Sequence, residues 1–209
     1  MGNTFIVIDG IDGCGKGEQI KMLHNYLFDK NKRNVILTTR EPTYGVYGVK
    51  IRKILKEDED PYEKAEHLLG LYTKDRNEHL ESIVIPFLKN ENGDIKKFVL
   101  CDRYYYSTYA FQQTQGIPFD EIHKLQMNFL KPDVTFILDV DSEVALSRID
   151  KSRNIVEKFE KLEFMRKVRQ NFIDLKSKLN ENIIIIDASK SKKEVFDDII
   201  SHLKKMNLI

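Results

Sequence analysis

Tryptophan is missing from this chain, and cysteine occurs only twice and proline five times in 209 residues. Two cysteines, Cys14 and Cys101, are too few for a disulfide framework and point to a reducing compartment. The scattered glycines and prolines form no linker, and neither an internal repeat nor a low-complexity stretch is present. No apolar run approaches the ~20 residues of a membrane span. An excess of one charge is also lacking: 34 basic residues face 33 acidic ones, for a net charge of +1. That balance argues against a general nucleic-acid or membrane-surface binder, although local Lys and Arg clusters can still bind phosphates. Strand-like sequence starts at Thr4, which leaves no room for a signal peptide, and Ile6 stands where myristoylation wants Ser or Thr. The expectation is a cytoplasmic protein with no nucleic-acid or membrane partner.

What is present is a globular composition, 41% hydrophobic and 32% charged. A chain of this length is expected to form one domain, 1–209, with ample residues for a core. Its most informative stretch is Gly10-Ile11-Asp12-Gly13-Cys14-Gly15-Lys16-Gly17, between the apolar run Phe5–Ile8 and a segment of helical period. In that strand–loop–helix setting, G-x-x-x-x-G-K is a phosphate loop. Its glycines let successive N–H groups point into one concavity, and the following helix directs its positive end there. Lys16 adds a cation suited to the β- and γ-phosphates of a nucleotide. One position departs from the pattern: Gly17 stands where a Ser or Thr hydroxyl would reach Mg²⁺. Because Mg²⁺ keeps several waters and leans on the substrate's phosphates, the loss is expected to weaken metal binding before nucleotide binding.

Apolar strands alternate with helical patterns throughout. The strands read as 4–9, 34–39, 97–101, 133–139 and 182–187, several of them continuous Val/Ile/Leu/Phe runs expected for strands covered on both faces. The alternation predicts an α/β fold with a mostly parallel sheet and helices on both faces. Ligands then lie beyond the carboxyl ends of the strands, where Asp9 to Lys16, Arg40-Glu41-Pro42, Asp102-Arg103-Tyr104 and Asp187-Ala188-Ser189 fall. Ser191 with Glu194 predicts a capping box for a final, structural helix.

Three segments carry further candidates. Tyr72 and Arg76, four apart on a helix over 65–86, share a face and could stack on a flat base and bond its edge, although such a pair is more often a core tyrosine with a surface arginine. Arg103 suits a bidentate grip on a phosphate, and Asp102 could reach Mg²⁺ through water. Tyr105 and Tyr106 read as packing. Arg148, Lys151 and Arg153 fit either a solvated helix face or a lid, at about 148–160, closing basic groups over a moving phosphoryl group.

Together these motifs resemble the thymidylate kinase family of P-loop nucleoside-monophosphate kinases. The resemblance rests on Ile8 to Lys16 with its two aspartates, Thr39-Arg40-Glu41-Pro42, Leu68-Leu69 through Tyr72 to Asp75-Arg76, Asp102-Arg103-Tyr104 with Ser107 and Ala110-Phe111, and Pro132-Asp133 through Asp139-Val140. It implies transfer of phosphate from MgATP to dTMP, giving dTDP and ADP. It also implies that Tyr72 stacks on thymine, Arg76 bonds its carbonyl edge, Ser107 and Thr108 line the base pocket, and Phe111 packs near the sugar. Arg40, with Pro42 beside it, and Arg103 would hold the acceptor phosphate, and Asp12 would orient the acceptor. Lys16, Arg148, Lys151 and Arg153 would stabilise the transferring group, while Ala188 and Ser189 would lie near adenine. The ATP site would be Gly10 to Gly17. Homodimers are common in the family. The sequence departs from the family pattern at Gly17 and Glu18, at Thr43 where a glycine often follows R-E-P, and at Tyr72 where phenylalanine is commoner. Two alternatives stay open: a kinase of another deoxynucleoside monophosphate, and a nucleotide-binding protein without turnover, for which Gly17 and Glu18 speak.

Overall fold

The computed structural model describes the backbone of residues 2–57, 62–89, 95–149 and 155–209, and the side chains of all of these but 155–160. Five strands, β1 (Thr4–Asp9), β2 (Val35–Arg40), β3 (Lys97–Asp102), β4 (Val134–Asp139) and β5 (Ile183–Asp187), form one sheet in the order β2-β3-β1-β4-β5. Every pairing is parallel. The register sets Arg40 beside Asp102 and Asp102 beside Ile8, so the carboxyl ends of β2, β3 and β1 finish in one row. Because β1 is flanked by β3 and β4, the segment that leaves its end enters the crevice where the connections diverge.

Burial follows strand position. The first five residues of β3 and β4 and all of β1 are buried. Phe5, Ile6, Val7 and Ile8 lie in this core, each contributing about 1.5–3 kcal/mol by leaving water. The edge strand β2 departs from the two-sided burial expected of its apolar run, with residues exposed or half-buried along its length. Both edge strands start one residue later than the sequence reading, and β2 runs on through Arg40.

The helices are α1 (Lys16–Lys30), α2 (Val46–Glu57), α3 (Ala65–His79), α4 (Ile85–Lys89), α5 (Tyr105–Thr114), α6 (Phe119–Gln126), α7 (Ser142–Ile149), α8 (Ile155–Lys178) and α9 (Lys192–Lys205). Ile20, Leu23 and Leu27 give α1 its buried stripe at helical spacing. A π-helical turn, Leu80–Val84, joins α3 to α4, so the helix read over 65–86 exists but carries a wide turn directly after His79. The predicted capping box is formed: Glu194 N–H donates to Ser191 Oγ and Ser191 N–H to Glu194 Oε2. A small apolar cluster of Ile51, Leu68 and Leu71, with Tyr47, Ile54 and Tyr72 against it, packs α2 on α3.

Candidate active site

The loop from Gly10 to Gly15 bends where three glycines take positive φ, 137° at Gly10, 80° at Gly13 and 103° at Gly15. Gly13 is the tightest: a Cβ there would sit 2.3 Å from the Ala145 carbonyl oxygen of α7. Only glycine satisfies both the conformation and the contact. Lys16 is folded over this loop, its Nζ donating to the carbonyls of Gly10 (3.1 Å) and Ile11 (2.9 Å). Cys14 is buried beneath it, and burial pushes its thiol pKa up. Arg148 reaches the same loop, Nη1 donating to Gly13 O at 3.3 Å. Lys151 and Arg153, the other lid candidates, lie outside the described residues.

Asp9 is the hub behind the loop. Its buried carboxylate accepts from Gly10 N (2.8 Å), Tyr104 N (3.1 Å), Ser107 N (3.0 Å) and Ser107 Oγ (2.7 Å). The bonds from Tyr104 N and from Ser107 N, which also donates to Tyr104 O at 3.1 Å, fix the start of α5 against the end of β1. Burial raises the Asp9 pKa, and Arg103, Ser107 and Lys16 oppose that rise. Arg103 takes the left-handed conformation, φ 68°, which is uncommon for a bulky side chain and concentrates at functional sites. From there its Nη1 donates to Ser107 Oγ (2.7 Å), its Nη2 to Asp12 Oδ1 (2.6 Å), and its guanidinium stands 5.4 Å from the Phe111 ring centroid. Burial works against the charge of Arg103, but Asp12, Asp9 and Asp102 outweigh it and raise its pKa. Desolvation in the cleft works against ionised Asp12, and the charges of Arg103 and Lys16 more than offset it, lowering the Asp12 pKa.

Helix α3 carries Tyr72 and Arg76. The structure reverses the simpler expectation of a core tyrosine with a surface arginine: Arg76 is 1% exposed and Tyr72 only half-buried. Arg76 Nε donates to Glu41 Oε2 (2.9 Å), Nη2 lies 2.7 Å from the same oxygen and donates to Thr108 Oγ1 (3.1 Å), and Nη1 donates to Gln126 Oε1. Guanidinium carries five N–H groups, so one on Nη1 stays available to a further acceptor. Glu41 is itself buried and also contacts His79 Nδ1 (3.0 Å), whose Nε2 meets Thr39 Oγ1 (2.7 Å). Burial pushes the Tyr72 phenol up to about 12, against the opposing charges of Arg103 and Arg76.

Between α1 and the end of α3 lies a cavity of about 890 Å³, lined among others by Gly17, Ile20, Arg40, Thr43, Ile83 and Asp102. Arg40 is exposed at the end of β2, and no described residue bonds or pairs with its side chain. Asp102 Oδ1 is buried and accepts no hydrogen bond from the described residues. Open space surrounds Gly17: apart from its own stretch of helix, no described residue comes within 4 Å of the position a Cβ would take. On the far side of the loop, Ala188 N donates to Asp139 O (2.7 Å) and Ser189 caps Asp187. The start of α9, which follows that turn, is tied to the first turn of α1 by Gln19 Nε2 donating to Lys192 O (3.0 Å) and by the Glu18–Lys192 ion pair (2.9 Å).

The family model described as Thymidylate kinase matches residues 8–199, which include every one of these groups. The chain belongs to the thymidylate kinase family. It is 35% identical to the thymidylate kinase of Sulfurihydrogenibium, over 98% of each chain. The thymidylate kinase of Wolbachia pipientis is 36% identical over 96% of each chain. The probable thymidylate kinase of Methanocaldococcus jannaschii is 37% identical, over 98% of this chain and 97% of its own. Within this family framework, Glu18 has an evident local role as the partner of Lys192. Sequence reasoning passed over Asp9 as a hub, the Glu41–Arg76–His79 cluster and Gln126. Buried polar residues were the only signal, because their partners come from elements 35 to 98 residues away.

Proposed function

We propose that this chain transfers the γ-phosphoryl group of ATP to dTMP, giving dTDP and ADP, with the residues above in the following roles. The single observation that supports the reading is that Arg103 bonds Asp12 of the phosphate loop and Ser107 of α5, while Arg76 of α3 bonds the adjacent Thr108, an arrangement that suits an anion grip beside a base platform. Family membership supports the same acceptor.

The loop amides of Gly10 to Gly17 and Lys16 bind the donor phosphates, and Ala188 and Ser189 flank its adenine. Arg40 and Arg103 hold the acceptor phosphate, Pro42 shaping the loop beside it. Tyr72 stacks on the base, while Arg76 offers its remaining N–H to a carbonyl on the base edge. Thr108 orients Arg76, Ser107 orients Arg103, and Phe111 backs the sugar and the Arg103 guanidinium. Asp12, kept ionised by its basic neighbours, orients the acceptor end. Lys16, Arg103 and Arg148, joined by Lys151 and Arg153, stabilise charge on the transferring phosphoryl. Such a reaction asks for alignment and electrostatic stabilisation rather than covalent chemistry.

The residues fit Mg²⁺ bound chiefly to nucleotide phosphates. The partnerless Asp102 Oδ1 is available for a metal-bound water, and among the described residues no cluster of three His, Cys, Asp or Glu forms a protein cage. When bound, Mg²⁺ neutralises phosphate charge. Val46 and Val49, exposed one turn apart on α2, support a second copy of the chain as partner, in a homodimer. Among the described residues no helix is long and apolar enough to cross a membrane, and we assign the protein to the cytoplasm on its free, buried cysteines.

A panel of deoxynucleoside monophosphates assayed with ATP tests the acceptor. The expected result is a kcat/KM for dTMP at least about tenfold above those for dCMP and dGMP, as a specific base-edge contact gives. Equal values would overturn the roles of Tyr72 and Arg76.

A further inference from the structure

We infer that Thr43 is a positioning residue that, with Asp75, fixes the span between the acceptor-phosphate grip on β2 and the base platform on α3. The inference rests on the acceptor reading above and assigns that site a residue whose side chain reaches α3 instead of the acceptor.

Thr43 Oγ1 donates to Asp75 Oδ1 at 2.6 Å, and Thr43 N–H donates to Asp75 Oδ2 at 2.8 Å. Asp75 is 1% exposed, so its carboxylate depends on these donors. Thr43 Oγ1 in turn accepts from Gly45 N at 3.0 Å, which starts the chain toward α2. From behind, Gly48 presses on the same residue: a Cβ there would lie 2.0 Å from Thr43 O. Pro42 O accepts from Arg52 of α2.

The geometry separates what Thr43 adds from what Glu41 already supplies. Glu41 joins the loop to Arg76 and His79 of α3, and Arg52 and Gly48 hold the following residues against α2, not α3. The Thr43–Asp75 pair adds a second attachment two residues on. Asp75 is adjacent to Arg76 and three residues beyond Tyr72, so the latch is anchored on the segment of α3 that presents the base platform. A monophosphate must engage Arg40 and Tyr72 at once, and a loop held at two points keeps those groups at a set separation before the acceptor arrives. Fixed spacing of this kind lowers the ordering cost of binding. A glycine at 43 would keep the N–H bond and lose the hydroxyl bond. Of the two bonds that make this attachment, the hydroxyl bond therefore belongs to the threonine, and it turns a single bond into a two-point grip on the Asp75 carboxylate.

Steady-state kinetics on Thr43→Val, Thr43→Gly and Thr43→Ser, with dTMP affinity measured by calorimetry and folding checked by thermal melts, test the inference. Val and Gly are expected to raise KM and Kd for dTMP about tenfold while KM for ATP moves less than about twofold, and Ser is expected to restore both. Both deletions leave Asp75 Oδ1 buried without its hydroxyl donor, and Gly also loosens the backbone, so the two carry different folding risks. Unchanged KM for dTMP in either folded deletion variant would overturn the inference, as would equal losses for both substrates or failure of Ser to rescue. Should the wild-type protein prefer another monophosphate, the dTMP reading falls, and KM for that acceptor in the same variants decides the role of Thr43.

Discussion

Arg103 Nη2 donates to Asp12 Oδ1 at 2.6 Å, which ties the residue after β3 to the loop after β1. Asp12 is 66% exposed at its side chain, so the pair adds little to folding, about 0–1 kcal/mol. Its importance is orientation of the guanidinium. Arg103→Lys keeps the charge and loses the planar fork that also engages Ser107, and kcat/KM for dTMP is expected to fall about 10²–10³-fold. Kinetics at saturating ATP check this. A loss smaller than about threefold would show that a point charge suffices.

Gly13 is the position where the loop tolerates least. Gly13→Ala drives a Cβ to 2.3 Å from Ala145 O at a residue with φ 80°, and both faults act together. The expected outcome is a loss of stability of about 2–4 kcal/mol, with nucleotide binding impaired in any protein that folds. Chemical denaturation measures the first, and binding of a fluorescent ATP analogue the second. A loss below about 0.5 kcal/mol would mean that α7 can retreat from the loop.

Gly17 is the opposite case, with open space where a side chain would go. Gly17→Ser should leave stability unchanged or raise it by up to about 0.5 kcal/mol, because glycine is a poor helix residue. A hydroxyl in the cavity that Asp102 also lines is expected to lower the Mg²⁺ concentration needed for half-maximal rate. An unchanged Mg²⁺ titration would show that the native loop suffers nothing from the glycine.

Tyr72 gives a pH signature. Its phenol ionises near 10 in an ordinary setting and at about 12 in the folded protein. The folded state therefore holds a proton that the unfolded state releases, so the contribution of Tyr72 to stability is complete below about pH 10 and is lost as pH rises through about 12. Thermal melts across that range should fall more steeply for the wild type than for Tyr72→Phe. Parallel curves would indicate an ordinary phenol.

Much of the fold was legible in the sequence, because continuous apolar runs and the glycine loop are local signals. All five strands could be read, β1 to the residue. The two-sided burial expected from apolar runs failed at β2, since Val35, Ile36 and Leu37 look the same on an edge as in the middle of a sheet. The candidate site was legible as a set of strand ends, and the fold brings Asp12, Arg103 and Ser107 together as that set implies. What could not be read was the pairing of buried polar groups. Nothing near Arg76 in the chain says that Glu41 neutralises it, so the arginine looked like a surface residue, and Thr43 looked like a simple departure from glycine until Asp75 was seen to face it.

The central claim is that the cleft joins two substrates in one phosphoryl transfer. ADP formation from ATP, measured with and without dTMP across a Mg²⁺ titration, tests it most directly. The account predicts ADP release that depends on dTMP, saturates in both substrates and collapses in Lys16→Ala. Tight binding of ATP and dTMP with no ADP formed at any Mg²⁺ concentration would contradict it.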